Sequence, residues 1–203
     1  MAVVTFVWAG YASAVPITDT VTVEGLEWAQ VDLFKGLSWS SINVVCPAGV
    51  CGSGTLSGYD MAGWSWATVD DMNKLFNHYI GFEALGPGPS FWWPPGSDFT
   101  ASTAFFGDGW RQTGYFFGEF TEGLVSDYDA GAPVMGRVTE FGVPGDRIST
   151  DDKNIGGTLD RLFVGAWFFR EEENNTVSSP ATLTLTALGL SALGFSRRKR
   201  LRS

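Results

Sequence analysis

The sequence predicts an α+β fold, mostly antiparallel β with one clear helix over residues 68–80. Three observations carry this reading. Short runs in which apolar and polar residues alternate recur along the chain, the period of strands with one buried face. Clusters of Gly, Pro, Asn and Asp separate those runs and imply an antiparallel sheet. One segment alone changes to a helical period and is framed by start and stop signals. With 203 residues, 44% hydrophobic and 15% aromatic, the chain carries enough apolar surface to offset its conformational entropy and fold as one ordinary domain between two distinctive ends.

The chain opens with "MAVVTFVWAGYASAVPITD". An apolar run from Ala2 to Gly10 gives way to Ala12-Ser13-Ala14, a small-x-small triplet, and then to a polar restart. This is the pattern of a secretory signal peptide over residues 1–14; its positive n-region is missing, so either the true start lies upstream or the peptide is a weak one. A buried N-terminal strand is the alternative, since valine and aromatics also suit strands. A β-rich domain is then expected over residues 15–172. Its first strands lie in "DTVTVEGLEWAQVDL", where Val21, Val23, Trp28, Val31 and Leu33 alternate with polar neighbours.

Cys46 and Cys51, in "VCPAGVCG", are the only cysteines and are separated by a Pro-Gly turn. In an exported, oxidising setting they are expected to form a local disulfide. The chain has one histidine, His78, and no Cys/His cluster, so neither a structural zinc nor another cofactor is expected. The helix lies in "ATVDDMNKLFNHYIG". Thr68 is its N-cap with Asp71 three residues on, Val69, Met72, Leu75, Phe76, Tyr79 and Ile80 form one apolar stripe, and Gly81 is the stop. His78, late in the helix, is placed to complement its C-terminal dipole.

The stretch "GPGPSFWWPPG" sets Phe91, Trp92 and Trp93 among four prolines and three glycines. Held on so stiff a loop, exposed rings would be flat apolar platforms for sugar faces or a protein partner, with little ordering cost on binding. Three adjacent aromatics do not all face water without penalty, so the competing expectation is a lid over the core with one or two rings exposed. Further strands are expected over Ala101–Phe106, Gln112–Phe120, Leu124–Tyr128, Val134–Phe141 and Leu159–Arg170. The loops "SDYDAGAP" and "STDDKNIGG" hold acids as a calcium site would, but turn chemistry explains them more simply. No Gly-x-Ser-x-Gly, His-Glu-x-x-His or phosphate-cradling glycine loop is present. A glycosidase-type carboxylate pair, drawn from distant positions, is the only catalytic reading left, and nothing selects one pair.

Charge is divided unevenly. All 22 acidic residues lie between Asp19 and Glu173, with only eight of the 13 basic ones, so this body carries a net charge of −14. It would repel phosphate backbones, and nucleic acid is not an expected partner. The remaining five basic residues crowd the last seven positions. Residues 173–179 read as a linker, Ala181 to Phe195 hold no charge, and Arg197, Arg198, Lys199 and Arg200 follow at once, with residues 197–203 as a basic tail. As a helix, a segment over 180–196 is a short transmembrane span whose basic flank stays cytoplasmic, which puts the body on the far side of the membrane.

The C-terminal residues Val177, Ser178, Ser179, Pro180, Ala181 and Thr182, then "ALGLSALGF", then "SRRKR", resemble the PEP-CTERM sorting signal of exported bacterial proteins. Ser178-Ser179-Pro180 stands where the Pro-Glu-Pro of that family would be. The resemblance covers about the last 25 residues and implies an exosortase-type sorting enzyme and the membrane as partners. It also implies a cell-surface or exopolysaccharide-associated destination in a Gram-negative bacterium. Within the body, "GLEW" (Gly25–Trp28), "GLSWSSINVVC" (Gly36–Cys46), "LSGYDMAGWSWATVDDMNKLFN" (Leu56–Asn77) and "LFVGAWFFRE" (Leu162–Glu171) are similar in order to bacterial C-type-lectin-like modules of the Lcl type. That resemblance implies a first helix at Trp39–Val45 ahead of the one at 68–80. The expected function is therefore a non-enzymatic exported surface protein that binds polysaccharide; the alternative is an extracytoplasmic polysaccharide-acting hydrolase.

Overall fold

Val21 and Val23 alternate with threonines, and their side chains turn inward from the first strand, β1 (Thr20–Val23). Glu24 and Gly25, both in the left-handed region at φ 52° and 79°, make the two-residue turn that returns the chain as β2 (Leu26–Ala29), pairing Val21 with Trp28. The computed structural model describes residues 14–94, 99–115, 118–129, 131–140, 146–153 and 162–172, which belong to one compact unit, Met1–Glu172. Of the expected signal segment only Ala14 is among the described residues. The linker at 173–179, the segment at 180–196 and the tail at 197–203, with Val177, Ser178, Ser179, Pro180, Ala181, Thr182, Arg197, Arg198, Lys199 and Arg200, lie outside them.

After β2 the chain forms a 3-10 turn over Val31–Phe34, where the alternation of Val31 and Leu33 had suggested a strand. The turn buries Val31 and Phe34, the i and i+3 positions of one face. Helix α1 (Trp39–Val45) follows, capped by Ser38, whose side chain accepts from the Ser41 N–H at 3.1 Å. Cys46 and Cys51, both buried, are joined in a disulfide. The small hairpin β3 (Thr55–Leu56) and β4 (Tyr59–Asp60) and strand β5 (Ser65–Trp66) lead to α2 (Val69–Ile80). Helix α2 carries both halves of the expected capping box. Thr68 Oγ1 accepts from the Asp71 N–H at 3.2 Å and the Asp71 carboxylate accepts from the Thr68 N–H at 3.0 Å. Gly81 at φ 85° closes it.

Strand β6 (Phe91–Trp92) is followed by a third helix, α3 (Thr100–Gly107), which corrects the strand expected over Ala101–Phe106 and the expectation of a single helix. Threonine and phenylalanine favour strands, but Ala101, Ser102 and Phe105 are the buried residues, a spacing that only a helix can lay on one face. Strands β7 (Gly114–Tyr115), β8 (Glu119–Asp129), β9 (Ala132–Glu140) and β10 (Asp146–Lys153) form an antiparallel meander. The run expected over Leu159–Arg170 is broken into β11 (Gly165–Ala166) and β12 (Phe168–Glu171).

The result is a mixed α/β fold, mostly antiparallel. One sheet runs β1-β2-β12-β5; the larger runs β11-β8-β9-β10-β6, with β7 on the β11 side of β8 and β11 the parallel member. Helices α2 and α3 pack on the larger sheet over a core that includes Trp28, Phe76, Phe105, Trp110 and Trp167. A second cluster holds Phe34, Ile42, Trp66, Phe168 and both cysteines. The chain closes by placing β12 between β2 and β5.

At that closure Arg170 Nε donates to Glu27 Oε2 at 2.6 Å, its guanidinium 4.6 Å from the centre of the Trp64 ring, and Thr20 Oγ1 donates to Glu27 Oε1 at 3.0 Å. The Arg170 hydrogen bond is the main cause that holds the Glu27 carboxyl below the ordinary glutamate value of 4.5; partial burial opposes it, and Thr20 and the Arg170 charge add to it. The folded chain thus binds this proton more weakly than the unfolded chain, so the stabilisation is complete above the ordinary value and is lost as pH falls through the depressed one. Thermal melts of Glu27→Gln against the parent should show a constant deficit from about pH 6 upward that closes below about pH 4. A deficit independent of pH would assign the effect to packing alone.

Candidate functional site

One polar stripe on α2 holds the loop that follows the helix. Asp70, Asn73 and Asn77 stand at i, i+3 and i+7, so they share a face of the helix beside the loop that follows it. Asn77 Oδ1 accepts from the N–H groups of Ala84 and Leu85 at 3.0 and 2.8 Å, and its amide donates to Leu85 O at 2.8 Å. Asn73 donates to Gly86 O at 2.5 Å and Gly88 O at 2.8 Å, while Asp70 Oδ1 accepts from the Gly88 N–H at 2.8 Å. On the other side, Thr150 Oγ1 donates to Asn73 Oδ1 at 2.7 Å and accepts from the Ser90 N–H at 3.1 Å. Asn73 and Thr150 are buried, so these bonds form where water does not compete.

The loop so latched presents the aromatic run. Strand β6 adds to the edge of the larger sheet, pairing Trp92 with Ile148 and Phe91 with Ser149. Trp92 is half-buried against the core and meets Phe82 with ring centres 6.3 Å apart. Phe91 and Trp93 are 60% and 47% exposed and Phe82 is 59% exposed, so one ring of the run lies against the core while the other two face water. Comparison with family models, with curated proteins and with solved structures finds no match.

Beside Phe82 lies an open groove of about 490 Å³ lined by Glu24, Lys74, Asn77, His78 and Glu83. Glu24 holds the left-handed conformation that a glutamate seldom adopts, and its carboxylate meets His78 Nδ1 at 3.1 Å. His78 therefore pairs across to the β1–β2 turn in addition to sitting near the helix end. An exposed ring offers a flat apolar face, and the groove beside Phe82 offers carboxylate and amide acceptors.

Other sequence candidates serve structure. Asp127, in the first acid-rich loop, accepts from the Val69 N–H at 2.6 Å and so caps α2 from β8. Asp151 pairs with Arg147 at 3.5 Å. No group of three metal-ligating side chains occurs among the described residues. Tyr79 Oη accepts from Trp110 Nε1–H at 2.9 Å, and burial pushes its phenol well above the usual tyrosine range, so it keeps its proton as a core hydrogen-bond partner. The Asp70/Asn73/Asn77 stripe was missed in the sequence because the helix was read for its apolar face; the same spacing, applied to its polar residues, would have found it.

Proposed function

We propose that this protein is an exported, cell-surface or exopolysaccharide-associated protein that binds glycan through the Phe91/Trp93 platform without transforming it. The single observation that carries the binding reading is the exposure of two large rings on a loop tied down by three α2 side chains and one β10 hydroxyl. An exposed ring pair fixed in advance adds contact area at low entropic cost, the property a sugar-stacking surface needs. Strand β2 pairs with β12, and helices α1 and α2 lie between them in the chain. The Cys46–Cys51 disulfide is compatible with an oxidising compartment. No helix among the described residues is long and apolar enough to cross a membrane; the anchoring role belongs to the stretch at 180–196 and its basic flank, with an exosortase-type enzyme as the partner that reads Ser178-Ser179-Pro180.

Affinity electrophoresis of the full-length protein through gels containing plant, fungal and bacterial polysaccharides tests this. The Phe91→Ala/Trp93→Ala variant should bind at least roughly tenfold more weakly while its thermal midpoint stays put, since both rings are largely outside the core. Unchanged retardation of that variant, or sugar release abolished by replacing one carboxylate, overturns the reading. Mass spectrometry of the mature protein from its own cell locates both termini; an intact intracellular chain that keeps Met1 overturns the export half.

A further inference from the structure

The platform's ligand is narrowed by where the positive charges are. Between Lys74 and Arg111 the chain holds no Lys or Arg at all, and this interval supplies Phe82, Phe91, Trp92 and Trp93. Two cations with described side chains stand on the elements that hold the loop, and each faces a carboxylate on its own element. Lys74 on α2 lies 3.8 Å from Asp71, and Arg147 on β10 lies 3.5 Å from Asp151. Glu83, next to Phe82, has no cationic partner among the described residues. Around them the body carries its net charge of −14.

Recognition of a uronate, sulfate or phosphate on a sugar needs a free guanidinium or ammonium, because an anion leaving water must be met by a matching charge. Here an acidic polymer would meet uncompensated carboxylate instead. A stacking ring, in contrast, takes the C–H face of an uncharged pyranose, which asks for no matching charge from the site. We infer that the glycan bound at the Phe91/Trp93 platform is an uncharged one, built from flat pyranose rings with equatorial hydroxyl or acetamido groups. This rests on the glycan-binding reading above and adds the class of sugar.

The test is titration calorimetry of the full-length protein with matched hexasaccharides: cellohexaose and chitohexaose as uncharged probes, hexagalacturonate as the acidic one, hexaglucosamine as the basic one. An uncharged hexamer should bind with an affinity that changes less than about twofold between roughly 50 mM and 500 mM salt. It should lose at least about tenfold on Trp93→Ala, and hexagalacturonate should bind at least about tenfold more weakly than the uncharged hexamers. Basic-hexamer binding that vanishes in salt and ignores Trp93→Ala is general attraction to an acidic surface and agrees with the inference. Acidic or basic binding that equals the uncharged signal and depends on Trp93 overturns the inference and leaves glycan binding standing. No Trp93-dependent binding to any hexamer overturns both.

Discussion

Gly165→Ala is expected to be the most damaging single-methyl change in the described fold. A Cβ at this position would lie 2.0 Å from the carbonyl oxygen of Val31, a backbone atom of the 3-10 turn that cannot swing aside as a flexible side chain would. Val31 is fully buried and also presses on Gly123, the residue paired with Gly165 across the parallel β8–β11 contact, so the turn is held from two sides. Restricting the unfolded chain returns only about 0.4–1 kcal/mol, while the clash shifts strand or turn at a cost of roughly 3–5 kcal/mol. Against a total of about 5–15 kcal/mol for an ordinary domain, much of the stability goes. Gly107→Ala at the end of α3, where nothing lies within 4 Å of the new methyl, is the control and should be neutral or slightly stabilising. Urea melts of the two variants decide it: equal midpoints would show that the Val31 turn yields freely.

Trp167→Ala should be at least as severe for the opposite reason. The Trp167 indole is fully buried between the larger sheet and the helices on it, its Nε1–H donates to Gly136 O at 3.0 Å, and its ring meets Phe76, Phe105 and Trp110 with centres 5.8, 6.3 and 5.4 Å away. The seat is made by Gly123 and Gly136, directly opposite each other on β8 and β9: a side chain on either would come within 2.8 or 3.0 Å of the indole. Removing the indole leaves a void that rings fixed on two helices cannot close, for a loss of about 4–5 kcal/mol. Trp167→Phe keeps much of the bulk and should lose roughly 2 kcal/mol, part of it the hydrogen bond. Near-ultraviolet circular dichroism with denaturant melts measures both; a Trp167→Ala deficit under about 1 kcal/mol would mean that the cluster repacks.

How much of this was legible follows from where each determinant sits. Helix α2 was read with its cap, its stripe and its stop because all three are local. Helix α1 came through resemblance to a known module, its Ser, Ile and Val giving little helical preference of their own. Helix α3 was misread because its composition suits a strand and only the core decides otherwise. The disulfide followed from two cysteines and one assumption about compartment. The seats of Val31 and Trp167 depend on glycines 31 to 134 positions away from the residues they admit, and no short window along the chain contains such pairs. The latch on the aromatic loop was half visible: Asp70, Asn73 and Asn77 share a helix face in sequence, but their partner Thr150 is 77 residues from Asn73.

The placement of β12 has a kinetic meaning. Strand β12 lies inside its sheet, and Arg170 reaches back 143 residues to Glu27. A chain that emerges N-terminus first therefore cannot shut its smaller sheet until nearly the whole domain is available, and hairpin β1–β2 and strand β5 wait with open edges until then. Synthesis delivers this domain as an unfinished object, completed by one late insertion, and the interval before that insertion is when a chaperone has surface to hold.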